Sequence, residues 1–178
     1  MTKLCSDFKR RFKPQIVQSV AATLSNQHEH GFSVCEGLVT TPTVEGNERM
    51  MILPTCKLSR NIGSFHTHRS SPTVEKRIGL GISQRYYSSP SSVDLRPGNQ
   101  YQFGCVSTAR TLTCYKKRKD PFPELDALQV AERTANEEFT KWSTGQITDR
   151  EFKKRLSRAV AAQELTMKAS GGFCRVKL

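Results

Sequence analysis

The stretch NIGSFHTH, residues 61–68, decides how this chain is read. Its β-forming character predicts a strand that ends in two histidines. Side chains at i and i+2 of a strand project to the same side, so His66 and His68 can offer two imidazoles to one ion while Thr67 faces away. A four-coordinate zinc then needs further ligands. An aspartate supplies a hard anionic one, and a fourth position left to water distinguishes a catalytic ion from a closed structural site. Asp94, in the segment SPSSVDL at residues 89–95, is the candidate.

Working outward from this strand, residues 14–26 place Pro14 where a first helical turn tolerates it, and Ile16, Val20 and Leu24 lie four apart on one predicted helical face. FSVCEGLV and RMMILP, separated by a turn-rich segment, predict two strands. YQFGCVST and RTLTCYK predict a hairpin, after which the sheet is expected to end. Residues 69–90 mix Ser, Pro and Gly with little periodicity and predict a loop. Leu125, Leu128, Ala131, Ala135, Phe139 and Trp142 recur at steps of three and four, marking a long amphipathic helix from about Pro123. A second helix starts at Thr148, where Thr148 and Glu151 have the spacing of a capping box, and Phe152, Leu156 and Val160 share a face. Gly171 and Gly172 read as a helix stop.

The 178 residues, 36% hydrophobic, suit one α/β domain with appended helices. No apolar run is long enough to span a bilayer, and MTKLCSDFKRRFK lacks the apolar stretch of a secretory signal, so a soluble, cytoplasmic protein without a membrane role is expected. Six cysteines occur without any C-x-x-C, which suggests neither a cysteine zinc finger nor a thioredoxin-like pair and predicts that most are buried, reduced thiols. The net charge of +12 suits an acidic partner or nucleic acid, but the basic runs at Lys9–Arg11, Lys116–Lys119 and Lys153–Arg155 lack interleaved aromatics and read first as solvated surface.

Taken in order, His66, His68, Ser91 and Asp94 resemble the signature of the JAMM (MPN-plus, Jab1/MPN-type) zinc metalloproteases: a glutamate near the start of the domain, then H-x-H, then a serine, two residues and an aspartate. The resemblance implies a cytidine-deaminase-like fold with a mostly antiparallel sheet flanked by helices across residues 1–120. Residues 69–90 would then be an inserted loop, and 121–178 a C-terminal helical hairpin packed on the domain or a partner. It also implies Zn²⁺ held by His66, His68 and Asp94, a general base at Glu29, and an oxyanion contact from the Ser91 hydroxyl. Glu36 competes with Glu29, because in Glu29-His30-Gly31-Phe32 the second glycine of the family pattern is replaced. Arg69 stands where the family usually has proline, and the 22 residues from 69 to 90 far exceed the family's spacer. Loop closure grows only logarithmically, so about 15 extra residues add roughly 1 kcal/mol and do not forbid the site.

The implied activity is hydrolysis of peptide or isopeptide bonds, with ubiquitin-like conjugates among the protein substrates the family suggests. The insertion reads either as a substrate-contacting lid using Arg85, Tyr86 and Tyr87 or as an idle surface loop. Two other readings stay open: a catalytically silent MPN-like scaffold, and a basic nucleic-acid-binding protein with a structural metal, in which His28 and His30 could serve as further ligands. Glu75 is a weaker candidate for the third ligand.

Overall fold

In the computed structural model, residues 1–47, 51–97 and 101–178 are described. The chain is α/β, with helices on both faces of a mixed, mostly antiparallel seven-stranded sheet. Its elements are α1 (Thr2–Arg11), α2 (Lys13–Asn26), β1 (His30–Cys35), β2 (Val39–Thr40), β3 (Val44–Glu45), β4 (Asn61–Thr67), α3 (Pro72–Ile78), α4 (Leu80–Tyr87), β5 (Phe103–Ser107), β6 (Thr111–Lys116), α5 (Pro123–Ser143), α6 (Asp149–Ala169) and β7 (Phe173–Lys177). The order across the sheet is β2-β1-β4-β5-β6-β7, with β3 also on β1. Among the described strands, only β4 and β5 run parallel.

Strand periodicity divides the core in two. Phe32, Phe65, Cys105 and Cys114 point to one face, where Phe8, Phe12 and Ile16 of the N-terminal helices and their junction cover them. Phe32 and Phe65 stack with centroids 4.9 Å apart. The next residues along the strands, Val106 and Tyr115, point the other way and pack against Leu95, Leu125, Leu128 and Met167. His66 follows Phe65, so it takes this second face. A third cluster joins Val74 and Ile78 of α3 to Trp142, Phe152 and Leu156, fastening the inserted helices to the α5–α6 hairpin. The capping box at Thr148 and Glu151 forms as expected.

Several expectations are corrected. The predicted loop 69–90 contains α3 and α4. Ser71 caps α3 by accepting the Val74 N–H, Pro72 occupies the first turn, and buried Val74 and Ile78 give the helix an apolar side. The predicted strand RMMILP is not seen: Met51–Pro54 form no strand, and residues 49–50 lie outside the described residues. The sheet does not end at β6, because β7 pairs with it and carries the chain's last residues back beside α1. On α2 the buried side is Ile16, Ser19 and Thr23, while Leu24 is exposed, since Thr23 is drawn in by polar contacts to β1 and β4.

The cysteines are not reduced thiols. All six pair, as Cys5–Cys174, Cys35–Cys56 and Cys105–Cys114. The fold explains the pairing: Cys105 and Cys114 are register partners on β5 and β6, and α1 lays Cys5 over Cys174 of β7. The Cα atoms of the three pairs stand 4.1 to 5.9 Å apart.

Candidate metal centre

β4 ends with His66 under the sheet's second face and His68 just beyond the last ladder position, where its N–H still donates to the Ser107 carbonyl at 2.7 Å. Their Nε2 atoms converge to 3.0 Å. The imidazole of His68 is held by the inserted segment, since its Nδ1 lies 3.0 Å from the Tyr87 carbonyl oxygen. A carbonyl only accepts, so Nδ1 carries the proton and Nε2 presents a lone pair toward His66.

Asp94 reaches the same point from a turn that follows α4. The Leu95 N–H donates to the Ser91 carbonyl at 3.2 Å, and Leu95, fully buried, plugs this turn into the second core. Asp94 is thereby turned back toward the strand. Its Oδ1 stands 3.3 Å from His66 Nε2 and its Oδ2 3.7 Å from His68 Nε2. Ser91 fixes this carboxylate, donating from its N–H at 2.7 Å and from its hydroxyl at 2.9 Å.

Glu29 completes the group. It precedes β1, whose Gly31 lies opposite His66 in the ladder, and Gly46, just after β3, secures it by donating its N–H to the Glu29 carbonyl at 2.8 Å. A carboxylate oxygen of Glu29 and one nitrogen each of His66 and His68 lie within 4.8 Å of one another. This Glu29–His66–His68 cluster could hold a metal ion. Asp94 adds a second carboxylate to the same two imidazoles. The two imidazole nitrogens stand 3.0 Å apart and Asp94 turns a different oxygen to each, at 3.3 and 3.7 Å, spacings of the order that the ligands of one metal ion take. Imidazole and carboxylate donors of this kind are ligands that divalent metal ions take.

The groups of this cluster shift one another. Burial raises the Asp94 carboxyl, but the His66 charge and hydrogen bond, His68 and the Ser91 N–H together outweigh burial and hold it far below the ordinary carboxylate range. Burial opposes protonation of His66, and the Asp94 carboxylate overcomes it, so His66 is raised. His68 is lowered by burial and by the charge on His66, which favours the neutral form that ligates metals. Lys117, in the same cleft, is pushed down to about 8 by burial, against the pull of Asp94.

The remaining candidates lie apart from this point. Glu36 sits beyond the opposite end of β1, exposed and paired with Arg60 at 3.1 Å. Glu75 accepts from Gln84 within the inserted helices. His28 and His30 both face Glu45, His28 through a short hydrogen bond and His30 at 3.7 Å. The Tyr87 carbonyl was not anticipated, because no side-chain pattern encodes a backbone acceptor. One open cleft, lined by Met51, Ile52, Leu53, Tyr101, Tyr115 and Lys117, leads to the centre from one side, and a second approaches it past Tyr86 and Tyr87. Compared with protein families, curated proteins and solved structures, the chain matches none.

Proposed function

We propose that this chain is a zinc-dependent hydrolase of the JAMM type, cleaving peptide or isopeptide bonds of protein substrates, ubiquitin-like conjugates among them. One observation carries the reading: two imidazole Nε2 atoms and the carboxylates of Asp94 and Glu29 converge where two clefts meet.

His66, His68 and Asp94 would hold the ion. When bound, zinc supplies a Lewis acid that makes water nucleophilic near neutral pH. Glu29, partly exposed and beside the histidines, is placed to take a proton from that water and return it to the leaving nitrogen as the carbonyl carbon–nitrogen bond breaks. Tyr87 fixes the tautomer and plane of His68, and Ser91 orients Asp94. For Ser91 to serve an oxyanion instead, its hydroxyl would have to turn away from Asp94.

The three disulfides support an oxidising compartment rather than the cytoplasm expected from sequence. No helix among the described residues is long and apolar enough to cross a membrane.

The test is metal content by mass spectrometry of the wild type, His68→Ala and Asp94→Ala, followed by turnover of peptide and isopeptide conjugates by the wild type and Glu29→Gln. The expected result is about one zinc per chain, lost in both ligand variants, with Glu29→Gln retaining zinc and losing hydrolysis. A wild type that takes up no metal when zinc is supplied sinks the reading.

A further inference from the structure

The second cleft at Glu29, His68 and Ser91 extends away from the sheet into a depression walled by the inserted helices and by α5 and α6. Its walls carry Tyr86, Tyr87, Glu132, Asn136 and Gln163. Gln163 is only 4% exposed. Its amide N–H donates to the Tyr86 carbonyl at 3.3 Å, which settles which end of the amide is oxygen, and that Oε1 is buried with no hydrogen-bond partner. A buried acceptor left unpaired is costly and marks a place where a donor is missing.

Glu132 stands in the same wall. Its carboxylate accepts from the Ser92 N–H at 2.7 Å and the Ser92 hydroxyl at 2.6 Å, leaving lone pairs unspent on both oxygens. Burial raises its pKa, the two Ser92 hydrogen bonds oppose this, and the Asp94 charge adds to it; among the described residues Glu132 forms no ion pair. A carboxylate without an ion pair thus lines the same depression as an orphaned amide oxygen and two tyrosines. Acceptors and aromatic faces together recognise ammonium and guanidinium groups, which bring several donors and a positive charge.

We propose that this depression is a subsite for a lysine or arginine side chain of the substrate, seated beside the bond to be cut. Glu132 neutralises the charge, the Gln163 Oε1 takes a donated hydrogen bond, and the tyrosines flank the aliphatic stem. The assignment of the neighbouring centre as hydrolytic is the reading on which its position beside a scissile bond rests.

The experiment titrates the zinc-supplied full chain with Nα-acetyl-lysine methylamide and, in parallel, with its uncharged counterpart Nα-acetyl-norleucine methylamide, following the side-chain amide resonances of Asn136 and Gln163. The lysine probe is expected to shift both resonances saturably and to bind about tenfold or more tightly than the norleucine probe, and Glu132→Gln to remove that advantage. Asn136→Lys alters an exposed position and needs no buried group to change; its ammonium should compete for the subsite and weaken the probe similarly. Equal binding of the two probes, no saturable shift, or unchanged lysine binding in both variants overturns the proposal. Binding needs no turnover, so a chain that binds lysine but hydrolyses nothing loses the hydrolase reading and keeps the cation site. Hydrolysis indifferent to lysine and arginine, in a chain that also fails to bind the probe, does the reverse.

Discussion

Replacing Gly31 by alanine tests whether the β1–β4 ladder sets the geometry of the proposed metal centre. Gly31 lies opposite His66, and a Cβ built on it would meet the Phe65 carbonyl oxygen at 2.4 Å, Leu53 Cδ2 at 2.8 Å and His66 Cβ at 2.9 Å. Even a close carbon–oxygen contact is about 3.3 Å, so the strands must part by about 1 Å. Leu53 can turn aside, but the Phe65 carbonyl belongs to a strand bonded to β1 on one edge and β5 on the other, and the Phe65 ring is fully buried. Overpacking of this kind costs about 1–3 kcal/mol, and the rigid neighbours place this case near the upper end. For a chain of this size that lowers Tm by about 6–12 °C. Because the parting occurs at His66, zinc affinity should fall about tenfold or more, as it does when the support of a ligand is disturbed. Urea denaturation and a competitive zinc titration measure both. A variant within about 0.5 kcal/mol of wild type, with unchanged zinc affinity, would refute the argument.

Glu164 binds Arg85 of α4 at 2.8 Å and Arg175 of β7 at 3.1 Å, and these partners outweigh its burial and lower its pKa. A carboxyl lowered on folding stabilises above its unfolded pKa of about 4.3, and the contribution is lost as pH falls through the folded value. Glu164→Gln should therefore cost about 1 kcal/mol near neutrality and nothing in strong acid, as urea midpoints at several pH values would reveal. Iodoacetamide should label no cysteine in the denatured, unreduced chain, and labelling of all six would refute the pairing. Replacing Cys5 and Cys174 together by serine, which opens a link spanning 169 positions, should cost about 4 kcal/mol by thermal or urea unfolding. Gln84 accepts from the Thr108 and Thr111 hydroxyls and donates to Glu75, so Gln84→Ala should loosen α4, shift the Tyr87 carbonyl and lower zinc affinity about tenfold in a competition titration; unchanged affinity would show that Tyr87 does not depend on this clamp.

The parts of the fold readable in the sequence are those whose period is self-contained. His66 and His68 at i, i+2, the β5–β6 hairpin and the three-and-four spacing of α5 each state their own geometry, and the capping box at Thr148 names its helix start. Two missed helices carried similar signals: Leu4, Cys5, Phe8 and Phe12 follow the helical period in and just after α1, and Ser71-Pro72 opens α3. Ser, Pro and Gly masked the latter, because residues that break helices also begin them. The Cys5–Cys174 link and β7 had no local signal, whereas Cys105 and Cys114 sit on the two arms of the readable β5–β6 hairpin. Cys5 and Cys174 meet because α1 packs on β7, which the chain reaches only after all its other elements are laid down. Thr23 misled for a related reason, since its burial is decided by hydrogen bonds to His30 and Thr67 rather than by hydrophobicity.

The long spacing between His68 and Ser91, the largest departure from the JAMM pattern, has a topological role in this fold. β4 and β5 are parallel, so the chain leaving β4 at His68 must return to the far end of the sheet before β5 can begin. Parallel neighbours require a crossover of about a dozen residues or more, usually helical. Here α3, α4 and the Ser91–Leu95 turn make that crossover. The crossover passes the carboxyl end of β4, where the histidines stand, and there it contributes two things to them: the Tyr87 carbonyl that orients His68 and the Asp94 carboxylate that faces both imidazoles. An idle surface loop would be held to the rest of the molecule by little, whereas this one is fastened by Val74 and Ile78 against Trp142 and Phe152, and by Gln84 against the β5–β6 turn. The α5–α6 hairpin therefore acts on the histidine cluster at one remove, by gripping the helices whose last residue, Tyr87, orients His68.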